Sequence, residues 1–177
     1  MVDIRFKMCV FGEGGVGKTT LINRYISGNF KENYQMTIGV AFRSKVLKVN
    51  DLEVYLQIWD FAGENRFKFL LPNYVAGASG GIFMYDITRF HSISHVDEWM
   101  DVLKKGFKTE KVNIPLVLVG GKADLEEKRS VKINDALDIG KAHGISQVYE
   151  CSSKTGHNID EIFNSITIEM LKRAHLH

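Results

Sequence analysis

The sequence predicts an α/β fold: a six-stranded, mostly parallel sheet with one antiparallel edge strand and helices on both faces. Short apolar runs alternate along the chain with longer helical patterns. A glycine-rich loop joins the first apolar run to the first helical pattern. A single pair of runs reads as a hairpin, and it supplies the antiparallel edge.

The elements follow in order. Phe6–Phe11 (FKMCVF) is a strand that ends in the glycine-rich loop, and Thr19–Ser27 is a helix stopped at Gly28. Val40–Val49 and Glu53–Asp60 alternate polar and apolar residues around Asn50-Asp51, which makes them the hairpin. Gly81–Asp86 (GIFMYD) and Leu116–Gly120 (LVLVG) are continuously apolar, as in strands buried on both faces. Val148–Cys151 is a last short strand. Helices are expected at about 93–105, 134–143 and 159–173. The last puts Ile159, Ile162, Phe163, Ile166 and Met170 on one stripe, which reads as core packing. With two prolines, Pro72 and Pro115, and no repeat, residues 1–177 read as one domain with its core at about 7–170.

Composition is that of a globular protein, 45% hydrophobic and 25% charged. A net charge of +2 gives no basic surface for nucleic acid. Cys9 and Cys151 lie in apolar runs and read as core thiols of a reducing compartment. No apolar run reaches membrane-span length. The start, MVDIRFKMCV, has no signal-peptide layout, and KRAHLH at the end has no cysteine to prenylate. A cytoplasmic monomer is expected, peripheral on the cytoplasmic face of a membrane only if a lipidated tail is missing from this stretch. Lys104, Lys105, Lys108 and Lys111 read as a solvated helix end. The six histidines show no metal-ligand spacing.

Two strand ends carry chemistry. Gly12–Thr19 (GEGGVGKT) fits G-x-x-x-x-G-K-[ST]. Glycines let successive N–H groups turn inward and cradle phosphate oxygens, and the helix start adds its positive dipole end. Lys18 is placed to reach the β- and γ-phosphates, and Thr19 to ligate magnesium. Asp60 closes LQIWD, an acid at a strand end that can hold the metal through water. Gly63 lets its N–H approach a γ-phosphate closely.

With these in place the chain resembles the small GTPases of the Ras superfamily, most closely the Rab branch. The resemblance runs from Lys7 to about Met170 through GEGGVGKTT, YQMTIGVAF, WDFAGENRF, MYDIT, LVLVGGKADL and ECSSKTG. It implies a P-loop NTPase domain, a switch that binds GTP or GDP with Mg2+, hydrolyses GTP, and serves membrane trafficking or signalling. Phosphate contacts then fall to Gly12, Gly14, Gly15, Val16, Gly17, Lys18, Thr19 and Thr20. Thr37 becomes the switch I threonine on the metal and γ-phosphate, and Tyr34 closes over the phosphates. Phe30 lies against the guanine, Lys122 covers it, and Asp124 accepts hydrogen bonds from its N1 and amine. Ser152, Ser153 and Lys154 match the loop beside the guanine carbonyl. Phe42, Trp59 and Tyr74 match the aromatic trio of the Rab effector surface, although residue type alone fits packing equally well. The implied partners are effectors at both switches and that trio, an exchange factor, and an activating protein. That protein would supply an arginine finger, since Gln35 and Met36 precede Thr37 where an arginine could serve in cis.

The departures from the family pattern matter most. Gly121 stands where the base motif begins with asparagine. One or more hydrogen bonds are lost, each worth about 1 kcal/mol or somewhat more, so nucleotide affinity is expected to fall roughly tenfold or more. Asp124 keeps guanine preferred over adenine. Ser153 replaces an alanine with little expected effect. Phe61 replaces a threonine, a bulky apolar residue in a switch. Glu64 replaces the glutamine that orients the attacking water. A carboxamide accepts and donates, whereas an ionised carboxylate only accepts. Beside an anion it either takes a raised pKa and positions water or turns out and leaves hydrolysis slow. Slow hydrolysis is expected, with Glu64, Lys18 and Gly63 as its catalytic groups. The alternative is a hydrolysis-impaired or weakly binding interaction module on the same scaffold.

Overall fold

β1 (Ile4–Phe11) runs through the middle of the sheet, parallel to β3 (Leu52–Phe61) on one side and β4 (Gly80–Asp86) on the other. β2 (Val40–Val49) pairs antiparallel with β3, from Val40 opposite Phe61 to Val49 opposite Leu52. β5 (Leu116–Gly121) and β6 (Gln147–Glu150) extend the other side in parallel, giving the order β2-β3-β1-β4-β5-β6. The computed structural model describes residues 4–32, 35–49 and 51–176. The expected hairpin turn at Asn50 therefore lies partly outside the described residues.

Strand alternation divides the core between the two faces. Met8 and Val10 of β1 point to one face, where α1 (Lys18–Ser27) and α6 (Ile159–Arg173) cover them with Leu21, Ile22, Phe163 and Ile166. Tyr25 and Phe163 stack there at 3.8 Å between centroids. Cys9 and Phe11 point to the other face. That face is covered by α2 (Leu71–Val75), α3 (His91–Ser94), α4 (Val96–Phe107) and α5 (Ile133–Ala142). Its central side chain is Trp99, fully buried 6.0 Å from the Phe11 ring. Both cysteines are buried free thiols. No described helix is long and apolar enough to cross a membrane.

Two departures from the sequence expectation have local causes. The single helix expected at about 93–105 is two pieces, α3 and α4, meeting at His95. Ser92 Oγ accepts from the Asp86 N–H at 2.9 Å and donates to the Arg89 carbonyl at 2.6 Å. The one-turn α3 is thereby tied to the end of β4 rather than continued into α4. A 3-10 turn at Asn65–Leu70 leading into α2 has no counterpart in the periodicity. So short a helix is held by tertiary packing, which a 3.6-residue pattern does not record.

That packing depends on Gly106 of α4. A Cβ there would lie 2.7 Å from the Pro72 carbonyl oxygen and inside the Val75 side chain. Gly106→Ala gains about 1 kcal/mol of helix propensity but overpacks this contact by roughly 1–3 kcal/mol. Urea unfolding is expected to show a net loss of stability, and a gain would mean that α2 swings away freely.

Candidate functional site

In a parallel sheet, ligands bind beyond the carboxyl ends of the strands. β1, β3, β4 and β5 end on one edge, and the loops after them meet there. Gly12, Gly15 and Gly17 in the first loop have φ of 139°, 75° and 103°, the region that favours glycine. A Cβ on Gly12 would also strike the Met84 carbonyl of the neighbouring strand. The loop therefore curls tightly, and Gly17 caps α1 in a left-handed conformation. The first N–H groups of the helix are left for a ligand rather than for a capping side chain.

Lys18 opens α1 and is buried. Its ammonium donates to the Gly12 carbonyl at 2.8 Å and the Glu13 carbonyl at 2.6 Å. Burial lowers its pKa to about 8, against the pull of Asp60. Thr19 follows, and its Oγ1 donates to Asp60 Oδ2 at 2.6 Å. Thr37 Oγ1, from the segment before β2, donates to the same oxygen at 3.1 Å and lies 2.8 Å from Thr19 Oγ1. Three oxygen groups from distant parts of the chain thus share one point. Asp60 Oδ1 beside them is buried without a hydrogen-bond partner among the described residues. Burial raises the Asp60 carboxyl above its usual range, opposed by Thr19 and Lys18. An all-oxygen set with one orphaned carboxylate oxygen fits Mg2+.

Gly63 lies directly on the phosphate loop. A Cβ there would overlap the Glu13–Gly14 backbone, 2.6 Å from the Glu13 carbonyl oxygen. Gly14, Gly15, Gly17, Lys18, Thr19, Thr20, Thr37, Gly63 and Glu64 line one cleft. A second, lined by Val16, Phe30, Lys122, Asp124, Ser153 and Lys154, adjoins it and shares Gly17, Thr20, Glu32 and Lys122 with it. Lys122 donates to the Gly15 carbonyl at 3.0 Å and pairs with Asp86 at 2.7 Å. Buried Ser152 does not line the cleft; its hydroxyl donates to Asp124 Oδ1 at 2.6 Å and aims the carboxylate. Tyr34 lies outside the described residues.

Two adjoining clefts, one built for phosphates and one carrying a lysine and an aimed carboxylate, describe a nucleotide site. A model of the Ras family matches residues 7–172. The chain belongs to the Ras family. It is 38% identical over 175 residues to Ras-related protein Rab-19 of Xenopus laevis, covering 99% of this chain and 81% of that one. To Ras-related protein Rab-13 of Bos taurus it is 37% identical over 172 residues, 97% of this chain and 83% of that one. The protein is a Rab-like small GTPase.

Within this GTPase several features were not readable from residue types. Asp86, at the end of β4, organises the base side: burial would raise its carboxyl, but hydrogen bonds from Lys122 and Thr88 outweigh it and hold it below the usual range. Asp86 ends an apolar strand just as Asp60 does, and that parallel is the signal that could have found it. Arg89 lies 3.3 Å from Asp86 and donates to the Gly14 carbonyl at 2.9 Å; nothing local in the sequence marks it. The Met84 methyl fills the space a side chain at Gly121 would take, 2.5 Å from a Cβ built there. Phe61, left without a role by the sequence, is fully buried with Phe11 and Phe83 and anchors the end of β3.

Glu64 shows an arrangement the sequence did not anticipate. It lines the phosphate cleft and pairs with the exposed Arg66 at 2.7 Å, a partner that neither expected outcome included. Phe42, Trp59 and Tyr74 do come together, with centroids 5.5 and 6.0 Å apart along the row. Phe42 and Tyr74 are exposed, and Lys7 lies over the Trp59 ring. The histidines showed no metal-ligand spacing in sequence, yet in the fold His91 and His95 converge on Glu13. The third group comes from a loop 82 residues from His95, so local spacing misses it.

Two results are expected here. Gly121→Asn displaces the flexible Met84 terminus, sets its Cβ 3.1 Å from the Val16 carbonyl oxygen and restores a bracing side chain, so GDP affinity should rise roughly tenfold in a fluorescent-nucleotide titration. Ser152→Ala removes the hydroxyl that aims Asp124, and GDP affinity in the same assay should fall roughly five-fold, about 1 kcal/mol.

Proposed function

We propose that this Rab-like GTPase is a Mg2+-dependent guanine-nucleotide switch that hydrolyses GTP slowly, built as one domain over residues 1–177 with its core at about 7–170. The observation that carries it is the meeting of Thr19, Thr37 and Asp60. It joins the phosphate loop, the segment before β2 and the end of β3 at one point, so that segment can respond to what the loop holds. These three residues would hold magnesium, which supplies positive charge against phosphate oxygens when bound. Lys18 and the loop N–H groups stabilise charge developing on the transferred phosphate. Thr37 and Gly63 meet the γ-phosphate, and its loss releases both segments. Phe30, Lys122, Asp124, Ser153 and Lys154 hold the guanine.

Glu64 is the group that positions water, with Arg66 screening its charge from the phosphates. A carboxylate so paired keeps its acceptor role while its repulsion of the anion is reduced. Effectors would read the Thr37 segment, the Gly63 segment and the Phe42, Trp59 and Tyr74 row. An exchange factor would open the site, and an activating protein would bring an arginine. The setting is the cytoplasmic face of a membrane, in trafficking or signalling. The Glu64–Arg66 pair also favours a second reading, a GTP-bound interaction module in which the pair holds the carboxylate away from water.

Single-turnover GTP hydrolysis with Mg2+ separates the two. Glu64→Ala is expected to hydrolyse at least roughly tenfold more slowly than the native protein, and Glu64→Gln at least as fast as it. Equal rates for native and Glu64→Ala, with Glu64→Gln far above both, would establish the second reading.

A further inference from the structure

The Glu13 side chain does not line the nucleotide clefts. Its Oε1 lies 2.7 Å from His95 Nδ1 and 3.4 Å from His91 Nε2. The three ligating atoms all lie within 4.8 Å of one another, and the imidazoles meet edge to face at 4.1 Å. Donors bound to zinc at about 2.0–2.1 Å with tetrahedral angles are about 3.3 Å apart, so Glu13 and His91 already match, Glu13 and His95 must open by a fraction of an ångström, and the two imidazole donors start no more than 4.8 Å apart. Two imidazole nitrogens and one carboxylate oxygen suit zinc or cobalt, whereas calcium and magnesium take oxygen. Three protein donors leave a fourth position open to water. His91 is exposed, so a metal can enter from solvent. Glu98, whose carboxylate feels both imidazoles, adds negative charge nearby while paired with Lys68.

The geometry points to a second metal site in this protein, a zinc-type centre formed by Glu13, His91 and His95 that ties the phosphate loop to the α3–α4 junction. Glu13 is well placed to make this matter. Its own carbonyl holds Lys18, and its backbone abuts Gly63. A metal on its carboxylate would stiffen the loop and slow nucleotide release. That coupling rests on the phosphate loop's holding nucleotide; the metal site itself does not.

The test uses the full chain loaded with GDP and Mg2+. Zinc alone is titrated in competition with a chromophoric chelator, and cobalt absorption reports the geometry. One equivalent is expected to bind, with affinity at least tenfold weaker in His91→Ala and in His95→Ala. His91 is exposed and outside the clefts, so its variant keeps the fold, to be checked by circular dichroism. Absence of stoichiometric binding overturns the site. So does binding unchanged in both variants, which would place the metal on other histidines. Fluorescent-GDP release is then timed with and without zinc. Slower release in the native protein but not in His91→Ala supports the coupling; unchanged release overturns the coupling alone. A chain that holds no GDP would defeat the nucleotide reading, while the zinc titration would still decide the site.

Discussion

The site depends on how the phosphate loop disposes of its carbonyl groups. A ligand with several negative oxygens needs N–H groups facing it, so the carbonyls must face elsewhere and find donors there. Lys18 takes those of Gly12 and Glu13. Arg89 takes Gly14, Lys122 takes Gly15, and the Leu21 N–H of α1 takes Gly17. Three cationic side chains thus hold the loop from behind and leave positive charge around its concave side. The cost is a buried ammonium, visible in the lowered pKa of Lys18. That charge is in place before any anion arrives, which is the condition for electrostatic preorganisation.

The same bracing explains how the fold carries Gly121. The loss of asparagine removes one polar link between the base motif and the phosphate loop. Lys122 and Arg89 span that gap from Asp86, and the Met84 methyl occupies the vacated volume. Void and lost link are therefore handled separately, the first by a flexible apolar side chain and the second by an acid shared between two cations. Hydrogen-bonding capacity toward the base is not replaced by either, and there Ser152 does its work by fixing Asp124.

A carboxylate at position 64 beside an anion is reasonable once Arg66 is seen. The ion pair is largely exposed, so it contributes little to stability and is easily opened. Its importance lies in where it holds the charge. In the proposed switch, hydrolysis would depend on whether the carboxylate turns to water or stays on the arginine, and a partner that engages Arg66 would shift that balance.

Much was legible in sequence because it is local. Period-two alternation set the strands, and continuous apolar runs marked the strands buried on both faces. Fixed spacing in GEGGVGKT brought backbone, lysine and threonine together in the pattern of a phosphate loop, since all belong to one turn and one helix start. The base-side residues and the aromatic row came from resemblance, and the fold brings them together. Tertiary structure alone decided the rest, because those features pair groups far apart in the chain. Met84 against Gly121, Arg89 on Gly14, the burial of Phe61 and the docking of α2 at Gly106 have no local pattern to announce them. The histidines show the limit most clearly: two lie four residues apart, but only folding brings Glu13 between them. Sequence determined most of the elements and the chemistry of the first loop; packing decided where the short helices dock and which loops share that chemistry.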